Sequence, residues 1–135
     1  MPSVTIGTPD AYLRLTAPPW PGEQLPRGFV EAALHTEEVT ATRVLDLRRD
    51  GANLVQFFDN VANRLDGPMV WGMRTELELA FQRVQGPVPE PEYLVLSITL
   101  RNRGWHQRAW TLETALATTP NQLHQATHNL KTLLD

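Results

Sequence analysis

Chemistry in this sequence is most concentrated in Arg101-Asn102-Arg103-Gly104-Trp105-His106-Gln107-Arg108, where three arginines and a tryptophan share a short segment with no acid. Guanidinium groups beside an exposed indole suit base stacking and phosphate contact in single-stranded nucleic-acid binders. The same pair of residue types is enriched where proteins grip one another. The plain alternative is a basic turn whose tryptophan folds back onto its own sheet. The net charge favours protein over nucleic acid, so Arg101, Arg103, Trp105, His106 and Arg108 are the expected partner-binding residues.

Other groups have weaker claims. Glu76 and Glu78 alternate on one strand face, roughly 7 Å apart, a separation at which carboxylate pairs cleave glycosidic bonds. Such a pair on an open face is more simply solvated, or paired across the sheet with an arginine such as Arg101. His35 stands beside Glu37 and Glu38 at a strand end. That suits a general base, yet no nucleophile or oxyanion donor accompanies it, and turns are polar in any case. His124 and His128 lie four apart on one helix face, as zinc-binding pairs do, but no third ligand is nearby in sequence. Trp20 sits in a proline frame as a lid or an anchor, and Trp71 and Trp110 read as core aromatics. The sequence carries no phosphate-binding loop, dinucleotide fingerprint, nucleophile elbow or zinc-protease helix motif. The reading is therefore no catalytic residue, no cofactor and no metal.

The whole chain bounds these options. It has 135 residues and a mass of 15.2 kDa; 12 basic and 15 acidic side chains leave a formal charge of −3. This suits one domain spanning 1–135. The length suffices to bury about two-thirds of the unfolded surface without a staple. The absence of cysteine excludes disulfides, thiol catalysis and iron–sulfur sites. No run approaches the roughly 18 apolar residues of a membrane span, and the first twenty residues lack a secretory pattern. Cytoplasmic location and no membrane contact are the expectations.

Elements that must position these residues follow from periodicity. Residues 1–10 read as a loosely held lead-in or a short edge strand. Period-two alternation marks strands at 11–16, 28–35 and 39–47, with Arg43 breaking the apolar face of the last. Leu54, Phe58, Val61 and Leu65 stripe a helix opened by Asp50 as N-cap and stopped by Gly67-Pro68. Alternation resumes around 76–81, 93–100 and 109–116, with short connections that imply hairpins. Thr119, Pro120 and Gln122 form a capping-box start to a last helix striped by Leu123, Thr127, Leu130 and Leu134. The fold class is α+β in the order βββαβββα: one antiparallel sheet of about six strands with both helices on one face. Tyr12, Tyr93 and Val95 interrupt the polar face and mark a partly covered or a recognising surface. An edge strand at 11–16 would allow a homodimer.

Three pieces carry a resemblance: Leu54-Val55-Gln56-Phe57-Phe58, the segment from Trp71 through Leu77-Glu78-Leu79, and Leu94-Val95-Leu96-Ser97-Ile98-Thr99-Leu100-Arg101, followed by a tryptophan strand and a leucine-rich helix. Over about residues 28–135 the chain resembles an uncharacterised, mainly actinobacterial family of small proteins, a domain of unknown function. It departs from that pattern in its longer, proline-rich connection at Gly86–Pro91 and in lacking a histidine before Leu94. The family brings no known catalytic residues. The layout is also similar to immunity proteins of bacterial toxin systems, an analogy of fold alone. The expected function is a non-catalytic protein-binding domain, immunity-type or regulatory, with an unidentified protein partner. The alternatives are a small-ligand binder or enzyme with a pocket between sheet and helices, and a single-stranded nucleic-acid binder through the Arg101–Arg108 hairpin.

Overall fold

Alternating apolar residues produce eight strands and two helices, in the order β1 (Val4–Thr8), β2 (Ala11–Thr16), β3 (Phe29–His35), β4 (Thr40–Asp46), α1 (Gly51–Ala62), β5 (Val70–Met73), β6 (Leu77–Val84), β7 (Tyr93–Asn102), β8 (Trp110–Thr118) and α2 (Pro120–Leu134). The computed structural model describes residues 3–18, 28–63, 69–73, 76–84, 93–102 and 109–135. The proline frame of Trp20, the Gly67-Pro68 stop, the 86–91 connection and the hairpin tip with Arg103, Trp105, His106 and Arg108 lie outside the described residues.

The fold is α+β, but its strands divide differently from the expectation of one six-stranded layer. They form two four-stranded antiparallel meanders, β1-β2-β3-β4 and β5-β6-β7-β8, each followed by a helix. The order is thus ββββα twice. Alternation identifies strands and their hairpins, but it does not reveal whether strands on either side of a helix join. Two further strands carry little signal in the sequence. Val70–Met73 is short and contains Gly72, too little to show a period. Val4–Thr8 takes the edge-strand alternative, pairing with β2 from Val4↔Leu15 to Thr8↔Ala11 and burying Val4 and Ile6. Ala11–Thr16 is therefore an interior strand, held between β1 and β3. The dimer route that required it as an edge is lost.

One core gathers the inward faces of both sheets and both helix stripes. Leu13, Leu15, Val30, Leu34 and Leu45 come from the first sheet, and Leu77, Leu79, Leu94, Leu96 and Leu100 from the second. α1 contributes Leu54, Phe57, Phe58 and Val61, and Phe57 and Phe58 pack their rings on Phe81 of β6. Fully burying an aromatic such as Phe58 is worth about 2–3 kcal/mol. α2 buries Leu123, Ala126, Thr127 and Leu130. The helices also touch each other; a Cβ on Gly51 would stand 2.8 Å from Leu134 Cδ1. No helix among the described residues is long and apolar enough to cross a membrane.

The two helix starts differ. Thr119 caps α2 as expected, its hydroxyl accepting from the Gln122 amide, with Pro120 at the first helical position. Asp50 occupies the cap position of α1 but makes no side-chain cap bond. Its backbone is already helical (φ −101°, ψ −6°), and Leu47 supplies the carbonyl that satisfies the Gly51 amide. α1 ends at Ala62; Asn63 then turns its backbone and side-chain amides onto the Asp59 carbonyl.

Candidate functional site

Besides the packed helices, two seams bring the sheets together, and β8 lines a hollow at each. At the first, the C-terminal end of β8 lies next to β1. Gln122 seals it from the start of α2. Its Oε1 accepts from the Gly7 amide at 3.1 Å, and its Nε2 donates to the Gly7 carbonyl at 3.0 Å. The side-chain amide thus pairs with one backbone residue as a neighbouring strand would. Thr118, itself buried, donates its hydroxyl to the same Oε1. In a capping box the glutamine would reach back to its own N-cap amide; here it reaches to β1 instead. Gly7 accommodates this at φ +116°, a conformation open to glycine. A shallow 280 Å³ hollow beside the seam is lined by Tyr93 and Thr119 among others.

At the second seam, Arg43 crosses from β4. Its Nη1 donates to the Arg101 carbonyl at 2.6 Å, and its Nη2 meets Glu76 Oε1 at 2.9 Å. Arg101 and Asn102 are the last residues of β7, so this guanidinium holds the foot of the 103–108 hairpin. Its Nε is buried without a hydrogen-bond partner among the described residues. That cost is accepted where the other donors are charge-assisted. Above the latch, residues 39–42 and 110–112 face each other across an open groove of about 410 Å³. Val39 is 48% exposed there.

The carboxylate pair is now accounted for. Glu76 is held by Arg43, and Glu78 pairs with Arg101 at 3.0 Å. The β6–β7 register sets Glu78 opposite Thr99, so Arg101 is its diagonal neighbour, the cross-strand partner expected from the sequence. Each carboxylate faces its own arginine, so the two do not form a free pair on an open face.

His35 does not join Glu37 and Glu38. Its Nδ1 shares a hydrogen with the Thr40 hydroxyl, and its ring stacks on Tyr12, 4.9 Å between centroids. Arg14 covers the other aromatic contact, its guanidinium carbon 4.3 Å from the Tyr12 centroid. Tyr12 and His35 are register partners on the outer face of the first sheet, so this stack is a cross-strand pair. Glu37 and Glu38 are exposed in a turn organised by the Thr36 hydroxyl, which accepts from the Val39 amide. His124 and His128 are exposed on α2, and no cluster of three or more metal-ligating side chains forms among the described residues. On the surface, Arg48 is held by Asp46 through two contacts of 2.9 and 2.7 Å. That hydrogen bond, followed by the charge of Asp46, raises the Arg48 pKa.

Trp71 and Trp110, expected in the core, are half-buried and pack against its margin. Trp110 lines the open groove instead, because it begins β8 at the end far from the buried Leu116 and Thr118. Of the expected partner-binding residues, the structure describes Arg101 alone: half-buried, paired with Glu78, its carbonyl bound by Arg43. The signal that could have found Arg43 was its break in the β4 apolar face. Gln122 carried no such signal, since a capping box explains a glutamine there equally well.

No family model matches the chain, and no curated protein matches its sequence.

Proposed function

We propose that this chain is a non-catalytic protein-binding domain, of an immunity or regulatory kind and working in the cytoplasm, that meets its partner at the open β4–β8 seam and the hairpin rooted beside it. The groove carries the reading. Among the described residues it presents apolar and hydroxyl side chains, including Trp110, Leu112 and Val39, with no histidine, carboxylate or lysine along its lining. Tryptophan at a partly exposed rim suits recognition. The second support is the use made of the acids: Glu76 and Glu78 are engaged by Arg43 and Arg101. The Arg43 latch ties β4 to Arg101 at the end of β7 and to Glu76 before β6, close in sequence to the groove wall at 110–112.

Affinity capture from the source cell tests this. Wild type should recover a partner protein that Arg103→Ala/Trp105→Ala and Trp110→Ala each recover several-fold less, with unchanged circular dichroism. Equal recovery by all three proteins would overturn it.

A further inference from the structure

We infer that the groove takes a partner by strand addition: an extended segment of alternating apolar residues with lysine or arginine at its ends, inserted between β4 and β8. This rests on the protein-binding reading and specifies its mode.

Both walls are sheet edges. β4 pairs only with β3, and β8 only with β7. Main-chain amides and carbonyls on the outer sides of residues 40–42 and 110–112 thus have no strand partner among the described residues. Proteins ordinarily blunt such edges with charge, proline or a bulge. Within the lining itself there is none: Val, Thr, Ala and Thr stand against Trp, Thr and Leu, with Arg43 and Glu113 only at the next position along each strand. The other seam provides the contrast, because there Gln122 occupies the main-chain groups of Gly7 on β1. An extended peptide would do at β4–β8 what that side chain does at β1–β8, with main-chain hydrogen bonds giving affinity and alternate side chains giving selectivity.

Size and charge define the occupant. An extended residue in a sheet takes up roughly 160 Å³, from a rise of about 3.3 Å, a strand spacing of about 4.8 Å and a thickness of about 10 Å. The 410 Å³ opening therefore holds about two to three residues, matching the length of its walls. Apolar side chains of the segment would meet Val39, Ala41, Trp110 and Leu112. Among the described residues, Glu37 and Glu38 flank one wall and Glu113 the other, all exposed, while Arg43 and Arg101 pair with acids. The rim therefore calls for positive ends on the segment.

The test is selection of random eight-residue peptides displayed on phage against the full-length chain. The expected winners alternate apolar residues, carry Lys or Arg near an end and lack central proline. A synthetic copy of a winner should lose at least tenfold in affinity when its central amides are N-methylated, and as much against Leu112→Lys. Val39→Lys, at an exposed position that folding tolerates, should lose at least fivefold, and Glu113→Lys two- to threefold. Absence of enriched sequences would overturn the inference, as would winners that bind the Lys variants or the N-methylated peptide unchanged. So would a concentration-dependent dimer abolished by Val39→Lys, which would make a second copy the occupant. If the native partner is still captured by Val39→Lys but lost with Arg103→Ala/Trp105→Ala, strand addition fails while protein binding stands; if no partner is captured by any form, the protein-binding reading fails as well.

Discussion

The two seams between the halves solve the same problem in opposite ways. At β1–β8 a neutral amide side chain occupies the main-chain groups of the edge, with a smaller hollow of 280 Å³ beside it. At β4–β8 an arginine crosses beneath the edges and leaves them bare. Gln122 fits its seam because an amide can donate to and accept from one backbone residue at once. A guanidinium donates only, so Arg43 collects the Arg101 carbonyl and the Glu76 carboxylate and cannot satisfy a strand edge. The difference teaches that closing a seam and holding it are separable, and that the seam held but not closed is where a partner fits.

Substitutions that act on one seam sharpen this contrast. Gly7→Ala should have the largest effect. It forces a side chain into φ +116° and puts Cβ 2.3 Å from the Ala11 carbonyl oxygen, costing about 3 kcal/mol or more by urea denaturation. Arg43→Met comes next. It strands the Glu76 carboxylate and the Arg101 carbonyl in a half-buried setting, for about 2 kcal/mol. Its more telling signature is altered amide shifts at Arg101 and Asn102 in NMR spectra, with Gly7 unmoved. Gln122→Ala should cost about 1–2 kcal/mol and accelerate hydrogen exchange at Gly7 alone. If Arg43→Met and Gln122→Ala perturbed both seams alike, the seams would not be independent.

Smaller effects separate the halves themselves. Thr119→Ala should cost about 1 kcal/mol through its lost cap, whereas Asp50→Ala should leave stability within about 0.5 kcal/mol, because Asp50 caps nothing with its side chain. Glu78→Gln should also change little, since its pair with Arg101 is nearly half exposed on the carboxylate side.

What could be read in the sequence was local. Six strands, both helix stripes, the Thr119 cap and the Glu78–Arg101 neighbour relation follow from periods of two and 3.6 and from hairpin adjacency. The partition into two sheets does not, because it depends on β4 and β5 failing to pair across α1, and no local pattern encodes a failure. The Asp50 cap fails for a local reason: the residue type suits a cap, but its backbone is already helical (φ −101°, ψ −6°) rather than extended, the conformation in which a cap side chain reaches the first-turn amides. Arg43 was visible as an irregularity in its strand, but its partners lie 33 and 58 residues away. The groove is the least legible feature, since its walls come from opposite halves and read, residue by residue, as ordinary strands.

Backbone amide exchange at residues 40–42 and 110–112, measured with and without a selected peptide, tests the central claim most directly. The account predicts fast exchange at the outward amides of both edges in the free protein and slowing of at least tenfold on both when peptide is bound. Slow exchange at those amides in the free chain, or protection confined to the outer face of a sheet, would contradict it.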